Sequence, residues 1–566
     1  MVTAKSKSRD IEEINPEDVK VEDILHSLGG FSTYQRWLAF ALIFPQFPTA
    51  MIVLSPVFTG SSKVPMYCKR ETYFHEDDAC TANCTIETSD VVYSSIVQEW
   101  DLACSSAWIV DLVTSFQMAG MMTGAFLSSL LSDQFGRKKC FYFQTICMGV
   151  LGMLPAAAID PWSYAIARFL AGFGVGACFV IYLSHLMEFL TPAWRTICGT
   201  ISFWPFGEML LGLLAYLIVG WRWLTIIVAL PALFLLLFHK TILESPRWLL
   251  IRNKTAAAHE VFATIAKWNK TAAPDIKLIE QLQVNILKEE SSNIHGVKAV
   301  KMILHSSSLR THMAILTLCN VTCAIVYYGV SFNAKNLSGY WPIDLKFGDQ
   351  SLCAIPQTEF FSDFQISNLA PRYGSLKLSI LEVELDHSGK QKVNRSISDR
   401  VNRVPSIGLQ TAPAQLSQLT PKPKSSILFN NWIGRRKTFT LYMGLGTLFI
   451  ISLLIVDGVT GLQNASSTLV TVLSLCGRFG IVAAWGALTC LILETAPTNL
   501  RSSCLGFTAF AGYLGAVVAP QIFLLSGVTE SLPYIILCVL TVSSSVSSWF
   551  LRETLQQPLE DTVEKD

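Results

Sequence analysis

The chain has 566 residues, 51% of them apolar and 15% charged, and a mean hydropathy of +0.42. Soluble proteins carry about 25% charged residues, so this composition reads as a membrane protein rather than as several soluble domains. A net charge of +1 offers no basic surface for nucleic acid, fifteen cysteines are too sparse for a disulfide scaffold, and no cofactor motif, metal motif or nucleophile–base arrangement of an enzyme is visible.

An apolar helix needs about 20 residues to cross the ~30 Å hydrocarbon core. Residues 1–36 are polar and charged, so no cleavable signal peptide is expected. Eleven apolar runs follow, at 37–59, 108–130, 141–159, 162–186, 197–219, 222–242, 312–333, 438–457, 467–490, 503–526 and 532–551. Lysines and arginines set the orientation. Arg137, Lys138 and Lys139 follow the second run, Arg195 the fourth, and Arg247, Arg252 and Lys254 the sixth. Arg435, Arg436 and Lys437 precede the eighth run, and Arg501 follows the ninth. These loops and the N-terminus (1–36) are expected in the cytoplasm of a multi-pass plasma-membrane protein.

The loop 60–107, inside a first half spanning 37–242, is then extracellular. Its Cys68, Cys80, Cys84 and Cys104 suggest two disulfides, with three connectivities open, and Asn83-Cys84-Thr85 is a glycosylation sequon at Asn83. Residues 243–311 form a cytoplasmic linker. There KTAAAHEVFATIAKWNK (254–270) has helical apolar spacing at Ala258, Val261, Phe262 and Ile265. That helix either docks against the bundle or lies solvated.

The second half, 312–551, does not close, and a cytoplasmic tail, 552–566, follows it. The seventh run must leave Asn336 outside, yet the eighth starts directly after the inward basic cluster Gly434-Arg435-Arg436-Lys437. One crossing is missing. The segment 340–430 cannot supply it, because eighteen charged residues are scattered over 342–430 and its longest uncharged run, 404–421, holds three prolines. A membrane helix is expected to have been replaced here.

The halves echo each other. Asp133-Gln134-Phe135-Gly136-Arg137-Lys138-Lys139 matches Asn431-Trp432-Ile433-Gly434-Arg435-Arg436-Lys437, and Glu188-x6-Arg195 matches Glu494-x6-Arg501. Arg168-Phe169 and Arg478-Phe479 are a further candidate pair. Two homologous six-helix halves are the signature of an alternating-access carrier with a midplane site.

These residues resemble the major facilitator superfamily, and within it the organic cation and anion transporters of solute carrier family 22. The likeness is carried by Glu99-Trp100-Asp101-Leu102, the Asp133–Lys139 loop and Arg168-Phe169-Leu170-x-Gly172-x-Gly174-x-Gly176. It continues in Glu244-Ser245-Pro246-Arg247-Trp248, Tyr327-Tyr328-Gly329, Glu494…Arg501 and Leu551-Arg552-Glu553-Thr554. The resemblance implies an all-α membrane fold of two six-helix pseudo-repeats, with only eleven clear spans here. Departures are Ser129 and Arg552, where the family has Gly and Pro, and Gln134, where it has Arg.

Two sets of site residues follow. Gating residues are expected at Asp133, Gly136, Arg137, Glu188, Arg195, Glu244, Arg247, Gly434, Arg435, Arg436, Glu494 and Arg501, as a latch that holds the inner gate closed. Ionisable groups deep in a span are costly and point to function. Glu208 lies at mid-depth as a counter-charge for a cation, with Arg478 in the ninth run. Tyr182, Trp204, Tyr327, Tyr328, Trp485 and Tyr513 are candidates for an aromatic cavity wall, since aromatic faces attract quaternary ammonium groups. Tyr513 stands where the resemblance implies Asp in cation carriers and Arg in many anion carriers, so it supports neither sign. The expected partners are a small organic ion and the bilayer, with no cofactor and with homo-oligomerisation left open. Polyspecific transport of cations or carnitine-like zwitterions is the leading reading. Organic anion exchange and a non-transporting variant are the alternatives.

Overall fold

The computed structural model describes residues 20–61, 66–68, 71–73, 95–191, 194–195, 198, 202–218, 220–292, 305–337, 433–460, 467–495, 501–529 and 531–554. Its helices are α1 (Val21–Ser27), α2 (Thr33–Ile43), α3 (Gln46–Thr59), α4 (Ile96–Glu99), α5 (Trp108–Phe135), α6 (Arg137–Met153) and α7 (Pro161–Met187). There follow α8 (Trp204–Leu217), α9 (Trp221–Phe234), α10 (Pro246–Ile251), α11 (Thr255–Asn269) and α12 (Ile276–Ser292). The second half holds α13 (Ser307–Leu337), α14 (Arg435–Thr460), α15 (Ser467–Thr495), α16 (Arg501–Leu524) and α17 (Leu532–Ser548). Two short antiparallel strands, Met66–Cys68 and Glu71–Tyr73, pair in the loop before α4.

Among the described residues, nine helices are long and apolar enough to cross a membrane, and two shorter apolar ones, Trp204–Leu217 and Leu532–Ser548, occupy the fifth and last runs. Each of the eleven apolar runs therefore has a helix. The first run is interrupted: α2 and α3 meet at Phe44 and Pro45, where proline has no N–H for the helical ladder.

Local chemistry sets the helix starts. Pro161 sits in the first turn of α7, and the Asp160 carboxylate accepts from Trp162 N at 3.0 Å and Ser163 N at 3.1 Å. Inside α7, Gly172 and Gly176 press on the backbone of α5 at Gln117 and Met121, and Gly174 presses on α6 at Met148. A Cβ at any of the three would overlap backbone atoms, so this small-residue seam is what brings the three helices together.

The halves meet along α5 with α16 and along α3 with α13. One apolar cluster runs through both halves, and a second lies at the end carrying the basic loops. There Ala258, Val261, Phe262 and Ile265 of α11 are buried in one cluster with Ile24, Leu25 and Leu28 of the N-terminal segment. Asn269 ties the same region, accepting from Tyr34 N at 2.9 Å and donating to Leu28 O at 2.8 Å. The linker helix is docked rather than solvated.

Helix directions bear on the missing crossing. Asn320 donates to Thr508 O at 2.7 Å, while Gly515 packs on Val321 and Ile325, and Gly329 on Phe523, so α13 and α16 run parallel. In α14 and α15, Gly446 lies against Gly477 and Ile481 while Arg435 reaches Glu494, so they run antiparallel. Hence α13 and α14 both begin at the basic end. The end of α13 at Leu337 and the start of α14 at Arg435 therefore lie at opposite ends of the bundle. The expectation for 340–430 falls outside the described residues.

Candidate functional site

The centre of the molecule is a polar junction between the halves. Trp204 and Glu208 stand one turn apart on α8, and the Trp204 indole Nε1 donates to Glu208 Oε1 at 2.7 Å. Tyr327 on α13 donates its hydroxyl to the same oxygen at 3.0 Å, and Arg478 Nη2 on α15 donates to it at 2.7 Å. Arg478 also donates to the Tyr327 hydroxyl at 3.0 Å, with its guanidinium 4.7 Å from the Tyr327 ring centroid. The Arg478 and Glu208 side chains are 9% and 6% exposed. Glu208 Oε2 is buried with no hydrogen-bond partner.

At 1.5 Å per residue, Arg478 lies roughly 24 Å along α15 from Glu494 at the basic end. It lies roughly 17 Å from the other end of this 29-residue helix at Ser467, so it is near the middle of the helix and within the ~30 Å hydrocarbon core.

Aromatic rings frame the junction. Trp485 meets Tyr327 edge-on at 5.9 Å, Tyr328 meets Tyr327 at 5.1 Å, and Phe179 lies 6.4 Å from Trp204 and 5.5 Å from Tyr182. The Tyr182 hydroxyl accepts from Gln46 Nε2, whose Oε1 in turn accepts from Ser202 Oγ at 2.5 Å and Phe203 N at 2.9 Å. Tyr513 packs half-buried against the shared core. The structure thus unites Trp204, Glu208, Tyr327, Tyr328, Arg478 and Trp485, with Tyr182 linked through Phe179.

At the basic end each half repeats one arrangement. Gly136 and Gly434 have φ of +100° and +104°, a region that disfavours side chains, and each precedes a helix start. Glu244 Oε1 accepts from Arg137 N at 2.8 Å and Lys138 N at 3.0 Å, and Glu553 Oε1 accepts from Arg435 N at 2.7 Å. A carboxylate thus serves each helix N-terminus, where the macrodipole favours it. Arg137 pairs with Asp133 at 3.0 Å and Glu188 at 3.1 Å, while Arg435 pairs with Glu494 at 3.2 Å. Arg436 donates to Leu551 O at 3.0 Å, and the Thr554 hydroxyl donates to Glu494 Oε2 at 2.6 Å.

Sequence reasoning missed several partners. Arg195 pairs with Glu22 of α1 at 2.8 Å, and Arg247 also acts on that carboxylate. Burial opposes ionisation of Glu22, but the Arg195 hydrogen bond and the surrounding positive charge outweigh it, holding its pKa below the usual value. Glu553 belongs to the terminal motif but was not among the expected gating residues, although Glu553-Thr554 repeats Glu244-Ser245. The pairs of Arg137 with Asp133 and Glu188, and of Arg435 with Glu494, stay within one half. Among the described ion pairs, Glu208–Arg478 joins the halves. Arg501 opens α16, but its side chain is not among those described.

At the far end Ser115 Oγ of α5 donates to Val517 O of α16 at 2.8 Å and accepts from Gln521 Nε2 at 2.9 Å. Cys104 is disulfide-bonded. Cys80, Cys84, Asn83 and the Cys68 side chain lie outside the described residues.

Residues 59–337 match the family described as "Sugar (and other) transporter". The chain is 25% identical to "Organic cation transporter protein" of Drosophila melanogaster, over 96% of this chain and 94% of the relative. It is 27% identical to "Organic cation/carnitine transporter 4" of Arabidopsis thaliana, over 85% and 79% respectively. The partially occluded inward-open xylose transporter XylE of E. coli superposes with a TM-score of 0.57 at 14% identity, over 92% of this chain and 100% of that one. At that identity the likeness shows the fold.

Proposed function

We propose that this chain, which matches the sugar (and other) transporter family over residues 59–337 and shares the fold of the xylose transporter, is a multi-pass membrane transporter of the major facilitator superfamily that carries small organic cations or carnitine-like zwitterions by alternating access. The observation that carries the reading is Glu208 Oε2, a buried carboxylate oxygen without a partner at the junction of the halves. A buried unsatisfied acceptor is expensive; an ammonium group placed there removes the cost. Trp204, Tyr327 and Trp485 offer ring faces and edges around it, and a desolvated cation–π contact is worth about 2 kcal/mol. Arg478 makes the junction net neutral, so a zwitterion leaves it neutral when its carboxylate meets Arg478 and its ammonium meets Glu208. Organic cations and carnitine are also what the relatives' names state.

The basic loops face the cytoplasm in this reading, with the N-terminus, at the plasma membrane. The far-end contact of Ser115 with Val517 and Gln521 then closes the extracellular side, which is an inward-facing arrangement. The Arg137 and Arg435 clusters, each tied inside its own half, keep the helix ends of that half together while the halves rock.

The test is binding to the purified 566-residue chain, read as thermal stabilisation by carnitine, tetraethylammonium and p-aminohippurate. Carnitine and tetraethylammonium are expected to stabilise it, and Glu208→Gln to weaken both by tenfold or more. Stabilisation by the anion alone, undiminished in Glu208→Gln, overturns the cation reading and favours anion exchange. The second reading, a non-transporting variant, is favoured by one observation: α13 and α14 start at the same end while the chain joining them is polar. Binding without uptake in vesicles is its signature.

A further inference from the structure

Buried charge at the junction has a consequence for the carrier without solute. A carrier can reorient empty only when its closed, dehydrated intermediate carries no uncompensated charge, since an unpaired buried ion costs several kcal/mol. Glu208 and Arg478 meet this condition by contacting each other at 2.7 Å across the two halves. The contact is prepared from both sides. Trp204, on the same helix as Glu208, and Tyr327, on the other half, each donate to Oε1. Tyr327 accepts from Arg478 as well, so both charged groups lean on one hydroxyl.

We propose that the Glu208–Arg478 pair is an internal stand-in for the solute. With nothing bound it closes and lets the halves exchange orientation empty; a solute opens it by taking over one or both charges. The carrier then supports net flux down a gradient and is not an obligate exchanger. This rests on the reading that solute meets Glu208, and it goes further by assigning the pair a role when no solute is present. A structural staple between two helices would have no such role, because it would hold one orientation.

The experiment reads empty-state exchange directly and does not depend on uptake. Ser115 is buried at the far-end contact, so a cysteine there reacts with a water-soluble maleimide only when that contact opens. Ser115→Cys is placed in the full chain in open membrane fragments, and labelling is followed by mass spectrometry on the peptide carrying position 115. Without solute, the parent is expected to label readily. Glu208→Gln, which leaves Arg478 uncompensated, should label at least tenfold more slowly. Glu208→Gln with Arg478→Gln, which removes both charges, should label within about threefold of the parent. A small carboxylate such as acetate should accelerate the slow single variant by compensating Arg478, whereas carnitine should not, because its ammonium has no partner once Glu208 is neutral. In the parent, carnitine should change the labelling rate.

Equal labelling in all three proteins overturns the proposal, as does a double variant as slow as the single one. So does a parent that labels only with carnitine present, which is the signature of an obligate exchanger. If the three empty-state rates fall as expected but carnitine changes none of them, the stand-in role holds and the substrate reading fails. Thermal melting of each variant before labelling separates slow exchange from misfolding.

Discussion

Arg168 and Arg478 begin the same dipeptide, Arg-Phe, on α7 and α15, yet their surroundings have opposite character. Among the described residues, Arg168 directs its hydrogen bonds to neutral oxygens of Tyr164, Ser55, Gln117 and Thr59, all in its own half. Arg478 crosses to the other half and finds a carboxylate. One buried guanidinium is sealed at 1% exposure in a cage that fastens α3, α5 and α7. The other sits at the contact between the two halves. A buried charge meant to stay put can be solvated by fixed hydroxyls and amides, whereas a charge that takes part in movement needs a partner that a ligand can replace.

That contrast can be broken by mutation. The largest expected effect is Arg478→Gln, which strands the Glu208 carboxylate and should destabilise the protein by roughly 3–5 kcal/mol in thermal or chemical unfolding. Glu208→Gln added to it should recover much of that loss. Arg168→Gln strands only neutral groups, so a smaller loss of roughly 1–3 kcal/mol is expected, and no neutralising second mutation should recover it. If Arg168→Gln costs more than Arg478→Gln, the division into a fixed and a replaceable charge is wrong.

The two basic-end clusters sharpen the comparison, because they repeat faithfully where the buried arginines do not. Gly136→Ala and Gly434→Ala each force a Cβ into a positive-φ position against the carboxylate of Glu244 or Glu553. Each should cost roughly 1–2 kcal/mol. The effects should add in the double variant, since the sites lie in different halves. Strong non-additivity in unfolding experiments would mean that the clusters communicate across the halves.

The smallest effect concerns Glu22 and Arg195. Glu22 has a lowered pKa in the folded protein, so its contribution is present at neutral pH, above its unfolded value, and is lost as pH falls through the depressed folded value. The pair is partly exposed and therefore worth little. A small melting-temperature difference between the protein and Glu22→Gln at neutral pH should shrink as the pH falls below the ordinary glutamate range. A difference that persists in acid would assign the effect to packing of α1 instead.

Much of this architecture is legible in one dimension. A membrane span is a run of apolar residues, so the eleven helices and the parity defect between Leu337 and Arg435 need no tertiary information. Glu208 and Arg478 were visible singly as charges at the wrong depth. Their pairing was not, because they are 270 residues apart and no local pattern couples them. Glu22 was hidden for another reason. The polar composition of 1–36 read as a tail, while Ile24, Leu25 and Leu28 supply just enough apolar surface to dock a two-turn helix beside the linker. The charged residues expected at the inner gate pair within their own halves, and the sequence does not say so, since loop charges indicate which side of the membrane they occupy but not which helix they fasten.

The central claim is that Glu208 and Arg478 form a contact between the halves that a solute replaces. A double-mutant cycle with Glu208→Gln and Arg478→Gln tests it most directly, measured by unfolding in detergent with and without saturating carnitine. The account predicts a coupling energy of roughly 2 kcal/mol or more in the empty protein, falling substantially when carnitine is bound. Additive single effects in the empty protein, or a coupling that carnitine leaves unchanged, would contradict it.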